Sequence, residues 1–127
     1  MKELINTDKA PAAVGPYSQA VKVDAGKMIF CSGQIAMDPV SGKIMGASAG
    51  EQADQVLKNL TAVLHAAGAE LKNVVKTTIF LTSMADFQAV NTVYARYFTM
   101  DLPARACFEV SRLPKDAKVE IEAIAVI

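Results

Sequence analysis

Two alternating runs near the end of the chain limit its fold more than any other feature. Ala104-Arg105-Ala106-Cys107-Phe108-Glu109-Val110 and Lys118-Val119-Glu120-Ile121-Glu122-Ala123-Ile124-Ala125-Val126-Ile127 both change character at every second residue, the period of a β-strand. Ser111-Arg112-Leu113-Pro114-Lys115-Asp116 between them carries a Pro-led turn signal, so the spacing predicts a C-terminal hairpin. Alternation puts Arg105, Cys107 and Glu109 on one face of the first strand, opposite Ala104, Ala106, Phe108 and Val110. In the second strand Glu120 and Glu122 share a face opposite Val119, Ile121 and Ala123. With the apolar faces aligned, a guanidinium, a thiol and carboxylates converge on one surface. Such a set can grip an anion and move a proton.

The rest of the chain supplies the partners for these strands. Glu3-Leu4-Ile5 is a short strand candidate, and Gln19–Val23 and Met28–Ser32 read as two more, joined by a hairpin turn at Asp24-Ala25-Gly26-Lys27. From Glu51 to Ala67 the period becomes helical, with Ala53, Val56, Leu57, Leu60, Val63, Leu64 and Ala67 on one stripe, Ser48 as N-cap and Gly68 as stop. Asn73–Leu81 returns to a strand, and Asp86–Phe98 to a helix with Phe87, Val90, Tyr94 and Tyr97 at helical spacing. This order predicts one α+β domain over residues 1–127, with a single mixed β-sheet and two helices packed on one face.

That arrangement leaves the second sheet face to be explained. Ile124 and Val126 accompany the polar set there, and 52% of the chain is apolar, so part of its surface is expected to meet another subunit. Thirteen basic and thirteen acidic residues give zero net charge, and no basic patch suited to nucleic acid stands out. No apolar run approaches the roughly 18 residues of a membrane span, and the first residues lack a secretory signal. Two cysteines, Cys31 and Cys107, make neither a disulfide framework nor a metal spacing, which points to reduced thiols in the cytoplasm. A lone His65 argues against zinc and fits a helix C-terminus instead.

Each candidate residue also has a purely structural reading. Arg105 is either an ion-pair partner of Glu120 or Glu122, or a planar fork for a ligand carboxylate. Glu120 is either a cross-strand partner for a lysine or a base that holds and deprotonates a water. Cys107 has no histidine base near it in sequence and reads as a packed thiol. Cys31 reads the same way. Tyr17, after Gly15-Pro16, is a loop aromatic, and Asn91 is an amide beside the apolar stripe of the second helix.

Three motifs, in order, carry a family resemblance. Ala10-Pro11-Ala12-Ala13-Val14-Gly15-Pro16-Tyr17-Ser18-Gln19, Cys31-Ser32-Gly33-Gln34-Ile35, and Pro103-Ala104-Arg105-Ala106-Cys107 with Val119-Glu120-Ile121-Glu122-Ala123 resemble the signatures of the RidA/YjgF/UK114 reactive-intermediate deaminases. The resemblance implies a chorismate-mutase-like fold assembled as a homotrimer, with sheets facing inward and clefts between subunits. It implies hydrolysis of 2-imino and 2-enamino acids to 2-keto acids and ammonia, without metal or cofactor. Arg105 and the Cys107 backbone amide would bind the substrate carboxylate, and Glu120 would hold the attacking water. Tyr17, Ser32, Gly33 and Asn91 would line the pocket. On this reading Tyr17 of one subunit closes over Arg105 of its neighbour. Two alternatives stand beside it: a ribonuclease or translation inhibitor, and a non-catalytic trimer that binds small carboxylates.

Overall fold

The computed structural model describes residues 2–127. Its eight principal elements run β1 (Lys2–Ile5), β2 (Ala20–Val23), β3 (Met28–Gln34), α1 (Ala49–Ala66), β4 (Val74–Leu81), α2 (Phe87–Tyr97), β5 (Ala104–Glu109) and β6 (Val119–Val126). Four strands form a mixed sheet in the order β3-β6-β4-β5, and β1 and β2 form a separate antiparallel ribbon. Lys2 fastens that ribbon to the sheet: its ammonium donates to the carbonyls of Val74 (2.7 Å), Lys72 (3.2 Å) and Asp101. Among the described residues, no helix is long and apolar enough to cross a membrane.

Both helices pack on one face of the four-stranded sheet, as the α+β reading expects. The α1 stripe buries Ala49, Ala53, Val56, Leu57, Leu60 and Leu64 against Val119, Ile121, Ala123 and Ala125 of β6 and Cys31 of β3. Val63 and Ala67, expected on that stripe, are exposed. Ser48 and Glu51 close a capping box, with the Ser48 Oγ accepting from the Glu51 amide at 3.1 Å. At the far end Gly68 takes φ +79°, a left-handed conformation that glycine adopts without strain. The buried Gln52 side chain donates to the Gly46 carbonyl (3.2 Å) and accepts from the Lys118 amide (2.8 Å), which pins the entry to β6.

Two predicted hairpins do not form. The segment after β5 passes over β4, so β5 and β6 lie on opposite sides of it: β5 pairs with β4 in parallel, and β6 pairs with β4 antiparallel. The reason lies in α2, which returns the chain after β4 to the same end of the sheet and so sets β5 parallel beside it. The central place on the other side of β4 is left to β6, whose Val119, Ile121, Ala123 and Ala125 are all buried. At the other end, β2 pairs with β1, while β3 pairs with β6 from Met28↔Val126 onward. The chain terminus holds Lys27 by two backbone hydrogen bonds to Ile127, and a side chain on Gly26 would clash with the Ile127 carbonyl.

One polar pair crosses the core. Thr77 of β4 and Tyr94 of α2 are both fully buried and share a hydrogen bond of 2.8 Å between their hydroxyls. Burial pushes the Tyr94 phenol up to about 12, against the opposing effects of the Thr77 hydrogen bond and Arg105. Tyr94→Phe or Thr77→Val alone leaves one buried hydroxyl without its partner. Each is expected to lower unfolding free energy by about 1–3 kcal/mol in urea titrations, and the double variant by less than the sum of the singles.

Candidate active site

Arg105 sits on the edge strand β5, in register with Thr77, so its side chain points to the helix-covered face. There α2 meets it. The Arg105 Nη1 donates to the Asn91 Oδ1 at 2.7 Å. Three rings surround the guanidinium, with centroids 5.1 Å (Tyr94), 5.4 Å (Tyr17) and 5.8 Å (Phe87) from its central carbon. Such contacts stabilise the cation and restrict its rotation. Among the described residues no carboxylate forms an ion pair with Arg105. None of their buried side-chain nitrogens lacks a partner, so the guanidinium nitrogens without a protein acceptor remain accessible. A half-buried cation with spare donors and no counter-charge suits an anionic ligand.

Cys107 lies two residues on, paired with Ile79 and packed against the core. Burial pushes its thiol up, although Arg105 pulls the other way, so the sulfur stays protonated at neutral pH. Glu109, next along this face, accepts from the Met84 amide at 2.9 Å and steadies the turn that leads into α2.

Tyr17 reaches Arg105 from a loop. Ser18 forms a parallel bridge with Ala104, its amide donates to the Pro103 carbonyl (3.1 Å), and its hydroxyl donates to the Leu102 carbonyl (2.5 Å). That anchor places the preceding tyrosine beside β5. The loop passes so close that a side-chain carbon on Gly15 would lie 3.4 Å from the Arg105 Nη2. Tyr17 therefore covers Arg105 of its own chain, not a neighbour's as the sequence reading expected.

The remaining candidates lie on the other face. Glu120 of β6 is in register with Phe80, whose ring faces away from the helices and stacks on Phe108 at 6.4 Å. The β3–β6 register shifts between Cys31 and Gln34, so Ser32 and Gly33 sit at an irregularity in the ladder. A Cβ on Gly33 would run into the Glu120 carboxylate, and glycine is the residue that leaves it room. Ser32 is exposed beside it, and Cys31 is buried in the core. Burial pushes the Glu120 carboxyl above the ordinary glutamate range, and the neighbouring Glu122 adds to the shift.

The expected convergence of Arg105 with Glu120 thus fails within one chain. Arg105 is level with Thr77 and hence Ala123, three residues along β6 from Glu120 and two strands across. Strand rise and spacing put those positions about 14 Å apart in the sheet plane alone, and the side chains leave by opposite faces. The cause is an inverted pattern. In β5 the alanines and Phe108 face the uncovered side, and Arg105, Cys107 and Glu109 face the helices, so its apolar side is not the core side. Phe87 and Tyr94 belong to the core stripe, as their spacing predicts, and they also wall the Arg105 guanidinium. Their helical spacing with Asn91 was the available sign that one face of α2 looks onto Arg105.

The uncovered face, on which Glu120 also lies, carries Phe30 (70% exposed), Met28 (57%) and Phe108 (53%), an apolar surface unusual for a solvated sheet.

Comparison with known proteins places the whole chain. A family model described as endoribonuclease L-PSP matches residues 7–127. A Mus musculus protein named 2-iminobutanoate/2-iminopropanoate deaminase is 52% identical over 126 residues, 99% of this chain and 90% of that one. A Thermotoga maritima structure described as a putative endoribonuclease is 53% identical, with a TM-score of 0.78 over 100% of this chain and 98% of that one. Escherichia coli TdcF, solved with bound serine, is 44% identical, with a TM-score of 0.76 over 98% of each chain. With a family match from residue 7 to the last residue and half of all positions shared with full-length relatives, the chain belongs to the RidA/YjgF family.

Proposed function

We propose that the protein hydrolyses small 2-imino acids and their enamine tautomers to 2-keto acids and ammonia. The pocket forms where the Arg105 side of one copy meets the Glu120 side of another in a homotrimer. The observation that carries this reading is the separation just described. An accessible, unpaired guanidinium and a carboxyl with a raised pKa stand on opposite faces of one chain, where neither can complete the other's chemistry. Stacking the uncovered, apolar sheet faces of several copies inward would bury Phe30, Met28 and Phe108 and bring Glu120 to a subunit boundary.

In that pocket Arg105, held by Asn91 and walled by Tyr17, binds the substrate carboxylate, and the Cys107 backbone amide assists. Glu120 accepts a proton from a water lying near Ser32 and Gly33 as the oxygen attacks the C=N carbon. The imine nitrogen takes up a proton, and the resulting amino alcohol collapses. The C–N bond breaks, ammonia leaves, and the carbon keeps the water oxygen as the new carbonyl. One water is consumed for each ammonia released. A raised pKa suits Glu120 to this exchange, because a stronger base takes the proton more readily and still returns it. The deaminase name of the mouse relative and the serine in the TdcF structure support a small amino-acid-like substrate.

The ribonuclease reading has the family description on its side, but the site's charges oppose it. Glu120 and Glu122 stand side by side on one face and would repel a phosphodiester, and Arg105 is the one cation among the candidate site residues.

Measured against spontaneous imine hydrolysis, Arg105→Ala should lower kcat/KM by about 100-fold, and Arg105→Lys should restore little of it because the planar fork is lost. Glu120→Gln should lower kcat by about 100-fold or more but keep affinity for a 2-keto acid, and equal loss of both would make Glu120 a binding group only.

The kcat–pH profile should fall on acidification through the Glu120 pKa, with its acid limb above the usual glutamate value. Glu122→Gln removes one of the two causes of the shift, so the limb should move to lower pH. An unmoved limb would assign the titration to another group.

Mixed assembly tests the shared pocket. When Arg105→Ala and Glu120→Gln subunits are dissociated and reassembled at equal ratio, about a quarter of the pockets contain both native residues, and activity should return to about that level. Tyr17→Ala mixed with Arg105→Ala should recover almost nothing, because those two residues belong to one chain.

A further inference from the structure

Gln19 closes the first motif of the chain, and none of the chemistry above uses it. Its side chain is nonetheless one of the most heavily bonded in the molecule. The Gln19 Oε1 accepts from the Thr7 amide at 2.7 Å, and its Nε2 donates to the carbonyls of Pro11 (2.6 Å), Thr7 (3.1 Å) and Ala10 (3.4 Å). One amide group thus gathers backbone from both ends of the Thr7–Pro11 segment.

The segment has few other supports. Residues 7–14 are exposed, and their other hydrogen bonds among the described residues are Lys9 amide to Thr7 Oγ1 (3.2 Å) and Val14 amide to the Tyr17 hydroxyl (3.4 Å). The second of these matters most, because the loop's far end rests on the ring that covers Arg105. From there the chain turns at Gly15, against the guanidinium, with the Tyr17 amide donating back to the Gly15 carbonyl at 2.8 Å. Ser18 fixes the base of the loop on β5, and Gln19 folds the start of the loop back over that base.

We infer that Gln19 is a positioning residue for the carboxylate site, holding the Thr7–Tyr17 loop closed so that Tyr17 and Gly15 stay against Arg105. The inference rests on the reading of Arg105 as the carboxylate-binding group and adds a residue that acts on it only through Tyr17. Without the clamp, the exposed loop gains conformational freedom, and ligand binding must supply the order that Gln19 now builds in. The loss therefore falls on affinity more than on turnover, because the loop rests on Arg105 and not on Glu120, which the neighbouring copy supplies in the proposed pocket.

The test measures 2-oxobutanoate binding by calorimetry and steady-state imine hydrolysis for Gln19→Ala, Tyr17→Ala, the double variant and Arg105→Ala, with thermal unfolding as the control for folding. Gln19→Ala should raise Kd and KM by about 10-fold while kcat falls much less, and the double variant should bind no more weakly than Tyr17→Ala. If Gln19→Ala does not fold, Gln19→Glu serves instead. It keeps the acceptor for Thr7 but sets a carboxylate against three carbonyls, and the same loss of affinity is expected. Unchanged Kd in the folded Gln19 variant, or effects that multiply in the double variant, would overturn the inference while leaving the Arg105 site intact. Unchanged Kd in Arg105→Ala would overturn the carboxylate site and the inference with it.

Discussion

A pleated strand sends successive side chains to opposite faces of its sheet, and the layout of this protein follows from that rule. Thr77, Ile79 and Leu81 of β4 are buried under the helices. Their registered neighbours on β5 are Arg105, Cys107 and Glu109, so those must face the helices too. Phe80, one step out of phase, carries Glu120 and Phe108 with it to the uncovered side. No rotamer change can bring Glu120 round to Arg105, because the sheet itself stands between them. Under the proposed function the two residues can therefore act together only across two copies of the chain.

Arg105 and Glu120, the two residues on which the proposed function rests, are held by different means. Arg105 is a cation held without a counter-charge. Aromatic faces and one neutral amide surround it, which restrains the side chain but leaves its charge available. Glu120 is held by contrast in a place that disfavours its charge, partly buried and beside Glu122, and the raised pKa that results is the property the proposed proton transfer uses. A carboxylate placed directly against Arg105 would satisfy the cation, depress its own pKa and lose both properties. Separation on opposite faces prevents that pairing within a chain.

The core explains why these positions are rigid enough to matter. Tyr94 belongs to both worlds: its hydroxyl is tied to Thr77 in the buried layer, and its ring lies beneath the guanidinium. Gln52 fixes the start of β6 through the Lys118 amide, two residues before Glu120. The N-terminal loop has no such core beneath it and depends on Ser18 and Gln19 for its place over Arg105.

The sequence by itself determined the elements, their amphipathic faces on α1 and β6, and, through three motifs, the family and the list of candidate residues. These are local properties: a capping box at Ser48, a stop at Gly68, the alternation of β6 between buried aliphatics and glutamates. Strand partners were not legible, because a turn signal such as Leu113-Pro114 announces a change of direction but not which strand lies alongside. Face assignment on β5 was not legible either. Its alternation is clear, but apolar residues line the uncovered side and an arginine the covered one, so the pattern gives the period and not the sign. Only the parallel register with β4 decided that sign, since it couples each β5 residue to a neighbour whose burial under the helices is unambiguous, and with it decided that Tyr17 and Arg105 belong together while Glu120 stands apart.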